Sequence, residues 1–174
     1  MGYWTVRFTE PGRLEDTLGE VLPDKGVYSI LDIGCSDGTV AGELNQRYPD
    51  ASVTGIDLNE EDVATAHRNL PGLEFHMGDG YFPSRLVNSK FDLVLIMNSM
   101  INYVLTSRPS KEELAPMLKD ISSVVESNGY LVISYDYSYD MYQSRNGQLE
   151  LIVSSRKNGG DEQFAYVQEL LTLS

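Results

Sequence analysis

The stretch that most restricts this chain is Tyr28-Ser29-Ile30-Leu31-Asp32-Ile33-Gly34-Cys35-Ser36-Asp37-Gly38-Thr39. A largely apolar run stops at a glycine, and the chain then restarts as a helix. Val40, Ala41, Leu44 and Tyr48 recur at helical spacing until Pro49-Asp50 closes the segment. Strand, glycine-bearing loop and helix in direct succession open a parallel α/β unit, because a parallel neighbour can be reached only through a crossover.

The unit repeats. Ser52–Asp57 reads as a second strand and Asn59 as the cap of a second helix. Asp62 offers the return bond of a capping box, and Glu60 and Glu61 complement the helix dipole. Val63, Ala66, His67 and Leu70 form its inward stripe, and Pro71-Gly72 ends it. Leu73–Met77 is a third strand. Phe91–Met97 is a fourth, apolar almost throughout, as suits a strand covered on both faces.

Ser110 and Glu113 form another capping-box pair ahead of Leu114, Met117, Leu118, Ile121, Val124 and Val125. Pro116 inside that stretch requires a helix that begins near it or a kinked first turn. Gly129 precedes a fifth strand, Tyr130–Tyr135. Leu149–Ser155 and Gln163–Leu171 then read as a terminal antiparallel hairpin turning at Asn158-Gly159. The expectation is one α/β domain over 1–174, doubly wound, with a mainly parallel sheet, helices on both faces and a C-terminal antiparallel hairpin. Residues 1–26 form an N-terminal extension packed on it.

Charge narrows the function. With 13 Lys and Arg against 26 Asp and Glu, the net charge is -13, which disfavours unaided binding of nucleic acid. Arg145, Arg156 and Lys157 are either a small basic patch or scattered surface charges. Cys35 is the sole cysteine, so neither an intrachain disulfide nor a thiolate cage is available. With no leader-like start and no apolar run of about 18 residues, the expectation is a cytoplasmic protein without membrane attachment.

Three carboxylates fall at or just beyond successive strand ends: Asp32, Asp57 and Asp79. In an open parallel sheet those ends converge on the ligand crevice. Gly34, Ser36 and Gly38 bring little bulk to it. Asp57 stands about 20 residues beyond the glycine loop, the separation at which an acid receives two ribose hydroxyls, here with both carboxylate oxygens. Asp79 in Gly78-Asp79-Gly80 either accepts from an exocyclic adenine amine or serves the turn. Asp32 supports the loop, meets a cationic ligand amine, or does both. Cys35 reads as a small loop residue, not a nucleophile, and His67 and His76 as helix-stripe and strand residues, not metal ligands.

The segments ILDIGCSDGT, VTGIDLNEEDVATAHRN, FHMGDG, FDLVLIMNSMINYV and LKDISSVVESNGYLVISY together resemble the class I, seven-stranded, Rossmann-like S-adenosylmethionine-dependent methyltransferases over residues 28–135. The resemblance implies S-adenosylmethionine as cofactor and S-adenosylhomocysteine as product. Asp32, Gly34, Ser36 and Gly38 would surround the methionine portion, Asp57 with Leu58 the ribose, Gly78, Asp79 and Gly80 the adenine, and Met97 and Asn98 the methionine on its acceptor side. Ser36 stands where relatives often carry glycine. An Asn/Asp-Pro-Pro-Tyr/Phe tetrapeptide is missing, which weakens an amino-directed nucleic-acid or protein substrate.

Asn98, Ser99, Tyr103, Tyr135, Asp136 and Tyr137 are the acceptor-side candidates, with Asn98, Tyr103 and Asp136 as the catalytic set. Residues 101–113 and 136–148 are the candidate lids. The implied function is in-line methyl transfer to a small-molecule acceptor. The alternatives are a protein or RNA methyltransferase that needs a protein partner, and a non-catalytic methyltransferase-like subunit. A nicotinamide enzyme is disfavoured, because Gly34–Thr39 does not fit GxGxxG.

Overall fold

Successive side chains of a strand point to opposite faces of a sheet, and that alternation sorts the core of this protein into two clusters. The computed structural model describes residues 12–97, 110–135 and 138–156, together with Gln168 and Leu171. Strands β1 (Ser29–Ile33), β2 (Ser52–Asp57), β3 (Glu74–Met77), β4 (Phe91–Met97), β5 (Val125–Tyr135), β6 (Ser138–Arg145) and β7 (Gln148–Ser155) form one sheet in the order β3-β2-β1-β4-β5-β6-β7. The pairings from β3 through β5 are parallel, and β5–β6 and β6–β7 are antiparallel.

On one face Ile30, Leu93, Leu95 and Val132 meet α1 (Arg13–Leu18), α2 (Thr39–Arg47) and α3 (Glu60–Asn69) through Leu14, Leu18, Ala41, Leu44, Val63 and Ala66. On the other, Leu31, Ile33, Val94, Ile96, Leu131 and Ile133 meet Leu114, Leu118 and Ile121 of α4 (Lys111–Ser123). The expected doubly wound architecture is present. β1 has β2 on one side and β4 on the other, so the winding reverses between β1 and β4 and the crevice opens at their carboxyl ends.

Capping chemistry sets the helix starts. Asn59 Oδ1 accepts the Glu61 N–H at 3.0 Å. Ser110 closes a full box: its Oγ accepts the Glu113 N–H at 3.3 Å, and its own N–H donates to Glu113 Oε2 at 2.8 Å. α4 therefore starts at Lys111 and keeps Pro116 in its interior.

β5 starts earlier than its apolar run. Val125 pairs with Phe91 and Tyr130 with Leu93, so 126–129 form an irregularity with Asn128 at φ 68°. Gly129 is required there, because a Cβ would lie 3.0 Å from three carbonyl oxygens, those of Phe91, Asp92 and Glu126.

The C-terminal expectations need correction. Residues 138–145, expected as lid, are β6, and the hairpin turn is Asn146-Gly147, with φ of 53° and 81°. Asn158-Gly159 lies outside the described residues, and Gln168 and Leu171, expected in a strand, are helical. The cause is that β6 buries polar side chains, Ser138, Asp140 and Ser144, which erases the apolar alternation by which a strand is recognised.

Candidate functional site

The loop after β1 is held by backbone bonds. The N–H groups of Gly34 and Cys35 both donate to the Ile56 carbonyl, at 2.8 and 3.0 Å. Gly34, Ser36 and Gly38 all have left-handed backbones, with φ of 81°, 49° and 86°. For Ser36 that conformation costs about 1 kcal/mol. In return its N–H reaches Asp57 Oδ2 at 2.8 Å, while Asp57 Oδ1 accepts the Asn59 N–H at 2.9 Å.

One carboxylate thus ties the glycine loop to the start of α3. Each oxygen already holds a backbone N–H, which corrects the expectation that both are left wholly to a ligand. A carboxylate offers about four lone-pair sites, so each oxygen retains one.

Gly38 serves packing, not the openness of the crevice. A Cβ there would lie 3.1 Å from Ala66 Cβ and Leu70 Cδ1 and 3.3 Å from Phe75 Cζ. α2 is opened by Asp37, whose Oδ1 accepts the Thr39 N–H at 3.2 Å and hydroxyl at 2.8 Å.

Asp32 is 1% exposed, and its Oδ2 has no hydrogen-bond partner among the described residues. It lies between Gly55 of β2 and Leu95 of β4 in the sheet register. Burial, and then the charge of Asp57, push its pKa up to about 7. Cys35 is 4% exposed, and burial first, then Asp32 and Asp57, drive its thiol far above the ordinary range. A neutral buried thiol is no nucleophile, so its role as a loop residue stands. Gly55 was not singled out from the sequence. A Cβ on it would overlap Phe75 Cδ1 at 2.5 Å and Cys35 Sγ at 2.8 Å, and the signal available was a glycine inside a strand.

Asp57 and Met77 are register partners at the carboxyl ends of β2 and β3. Beside them Leu58 is 74% exposed and Met77 56%, two apolar side chains left in water at a strand end. Gly78 donates to the Asp57 carbonyl at 2.9 Å, and the space of its missing side chain is filled by Leu86. Asp79 Oδ1 accepts the Tyr81 N–H at 3.0 Å and its carbonyl accepts from Phe82 at 3.1 Å, the geometry of the turn. Gly80 continues that turn.

The structure therefore gathers Asp32, Gly34, Ser36, Asp57, Leu58, Asp79 and Met97 at one sheet edge. Asn98, Ser99, Tyr103, Asp136 and Tyr137 lie outside the described residues, as does the candidate lid up to residue 109. Ser134, also not singled out from the sequence, is 1% exposed beside Met97, and its Oγ has no hydrogen-bond partner among the described residues.

His67 Nε2 lies 3.2 Å from the Phe75 carbonyl, and His76 Nε2 lies 3.1 Å from Glu74. Among the described residues no cluster of three metal-ligating side chains occurs, and no helix is long and apolar enough to cross a membrane. Arg145 and Arg156 sit at opposite ends of the β6–β7 pair, so they do not form a common patch.

Residues 30–129 match the model of a family described as a methyltransferase domain. This chain belongs to that family. The methyltransferase domain resembles trans-aconitate 2-methyltransferase of Deinococcus radiodurans, with 35% identity over 63 residues, 36% of this chain and 24% of that protein. It also resembles dTDP-3-amino-3,4,6-trideoxy-alpha-D-glucopyranose N,N-dimethyltransferase of Streptomyces venezuelae, with 28% identity over 105 residues, 60% of this chain and 41% of that protein. The matches thus span less than half the length of either relative.

Among solved structures, the sugar N-methyltransferase KedS8 from Streptoalloteichus sp ATCC 53650 superposes with a TM-score of 0.56 at 17% identity, covering 83% of this chain and 72% of that one. A TehB-like methyltransferase from Corynebacterium glutamicum gives 0.53 at 24%, covering 68% and 60%. The fold is that of the class I, Rossmann-like S-adenosylmethionine-dependent methyltransferases.

Proposed function

We propose that this domain binds S-adenosylmethionine at the carboxyl ends of β1, β2 and β4 and transfers its methyl group to a small-molecule acceptor. The observation that supports this most is Asp32. A carboxylate 1% exposed, with an oxygen that no group among the described residues satisfies, is costly unless a cationic ligand meets it. The ammonium of the cofactor's methionine end is such a cation, and its arrival would hold Asp32 ionised.

The rest of the edge fits the remainder of the molecule. Asp57, preset by Ser36 and Asn59, presents its outer lone pairs to two ribose hydroxyls. Leu58 and Met77 offer apolar surface to the two sides of an adenine. Ser36 and Gly34 keep the loop backbone close to the ligand.

When bound, S-adenosylmethionine supplies a methyl group on a sulfonium, which an aligned nucleophile takes by in-line displacement. The protein's share is alignment and exclusion of water. The catalytic assignment of Asn98, Tyr103 and Asp136 stays part of this proposal.

Calorimetric titration of the chain with S-adenosylhomocysteine tests the reading. Binding is expected, and Asp57→Asn, which removes the charge and also forfeits one of the two backbone N–H bonds to Ser36 and Asn59, should weaken it by about tenfold or more, with thermal melting showing how much of the loss is loop stability. A folded parent chain that binds neither S-adenosylhomocysteine nor S-adenosylmethionine would end the proposal.

A further inference from the structure

We infer that the methyl acceptor is an amine and that the Ser134 hydroxyl receives it. The inference rests on the S-adenosylmethionine site proposed above. It begins with two buried polar atoms on one face of the sheet. Asp32 is in register with Leu95, and Ser134 with Met97, two residues further along β4 toward the carboxyl edge. Asp32 Oδ2 and Ser134 Oγ are both without a partner, and both residues are 1% exposed. With β4 between them they stand two strand spacings apart, about 10 Å, and about 7 Å apart along the strands. That separation assigns them to different ligand groups. If Asp32 holds the ammonium of the cofactor, the Ser134 hydroxyl is left for the acceptor. Leaving such a hydroxyl buried and unbonded is unfavourable, so a partner is expected to complete it.

Charge then selects the class of acceptor. The carboxyl edge bears Asp32, Asp37 and Asp57, followed by Glu60, Glu61 and Asp62 in the first turn of α3, and Asp79 after β3. Among the described cationic side chains, Lys25, Arg47, Arg68, Lys90, Lys119 and Arg145 lie toward the opposite edge, before β1 and β4, in the later part of α2, α3 and α4, or at the end of β6. Arg85 is stacked over Phe82 at 4.2 Å. Arg156, following β7, reaches the carboxyl edge but is bound to the fully buried Asp140 at 2.7 Å. A carboxylate acceptor would enter a field of its own sign with no described cation to receive it. An amine is drawn in as ammonium, gives up one proton to water, and reacts in its neutral form.

In that form its N–H donates to Ser134 Oγ and its lone pair is left for the methyl group. The N–C bond forms as the S–C bond of the sulfonium breaks. The sulfonium becomes a neutral thioether, and the N-methylammonium product releases its proton to water.

The test uses the full chain saturated with S-adenosylhomocysteine and two matched probe pairs, benzylamine against benzoate and glucosamine against glucuronate. Binding is followed by calorimetry and melting shift, and product formation by release of S-adenosylhomocysteine from S-adenosylmethionine. The expected result is that at least one amine binds while its carboxylate partner binds at least tenfold more weakly. Ser134→Ala should lower the amine affinity about tenfold and leave that for S-adenosylhomocysteine within about twofold. Should Ser134→Ala melt far below the parent, Ser134→Cys supplies the folded comparison. Preference for the carboxylates, no probe binding, or an amine affinity indifferent to residue 134 overturns the inference. Loss of S-adenosylhomocysteine binding by the parent chain would instead remove the cofactor reading beneath it.

Discussion

Asp140 and Asp32 are both sealed inside the same sheet, 0% and 1% exposed, on opposite faces and with opposite fates. Asp140, in β6, is surrounded by donors: Arg156 Nη2 at 2.7 Å, Gln168 Nε2 at 2.8 Å and the Tyr142 hydroxyl at 3.2 Å. Tyr142 is itself fully buried, and its phenol is pushed upward by burial and then by Asp140, so it stays a donor. Asp32, in β1, has no such donor on Oδ2. A fully partnered buried carboxylate fixes the edge strands and the residues after them. An unpartnered one destabilises the fold, and in the proposed function the cofactor's ammonium would offset that cost.

Titration tests that contrast most strongly. Burial raises the pKa of Asp32 in the folded chain to about 7, above the ordinary carboxylate value of 3.8. Between those values the native chain holds a proton that the unfolded chain has released. Asp32 therefore costs nothing below about pH 4, and its penalty grows as pH rises to 7 and is complete above that. At 1.36 kcal/mol per unit the penalty is on the order of 4 kcal/mol. The difference in unfolding free energy between Asp32→Asn and the parent, measured by denaturant titration from pH 4 to 8, should grow in favour of the variant over that span. A pH-independent difference would show that Asp32 is solvated or paired, and the contrast with Asp140 would vanish.

Removing the partnered carboxylate has the opposite sign. Asp140→Ala removes the carboxylate that Arg156 Nη2, Gln168 Nε2 and the Tyr142 hydroxyl donate to and should lower stability by about 3 kcal/mol, measured at a pH near neutrality. Affinity of the folded variant for S-adenosylhomocysteine should change little, since Asp140 faces the α4 side. Equal losses of affinity and stability would mean that the two regions are coupled.

The smallest effect concerns the loop between Asp32 and Asp57. Ser36→Gly relieves a left-handed serine and should raise the melting midpoint by an amount corresponding to about 1 kcal/mol, while the N–H to Asp57 is kept. A lowered midpoint would show that the Ser36 side chain itself supports the loop.

Much of the parallel half of this protein was legible in the sequence because its signals are local. The boundaries of β1, β2 and β4 follow runs of apolar residues, and Ser110 and Glu113 announced their reciprocal bonds through spacing alone. The position of Asp57 at the end of β2 was legible, but its bonds to the Ser36 and Asn59 N–H groups were not. β6 was not legible, since its buried face carries Ser138, Asp140 and Ser144 and their burial is made acceptable by Arg156 and Gln168, 16 and 28 residues from Asp140. Asn146-Gly147 and Asn158-Gly159 carry the same turn chemistry, and only strand pairing distinguishes them.

What the sequence determined by itself was the alternation of strand and helix, the caps and breakers that delimit them, and the placement of acids at strand ends, all of which depend on neighbours within a few residues. The tertiary structure decided which of those groups are satisfied. Asp32, Asp57 and Asp140 are the same residue type, yet one is left unpartnered, one is tied to two backbone amides, and one is enclosed by three side-chain donors. The physical reason is that a carboxylate's energy depends on the dielectric and the donors around it, and burial of β1 between β2 and β4, or of β6 beside β5 and β7, exists only once distant strands have paired.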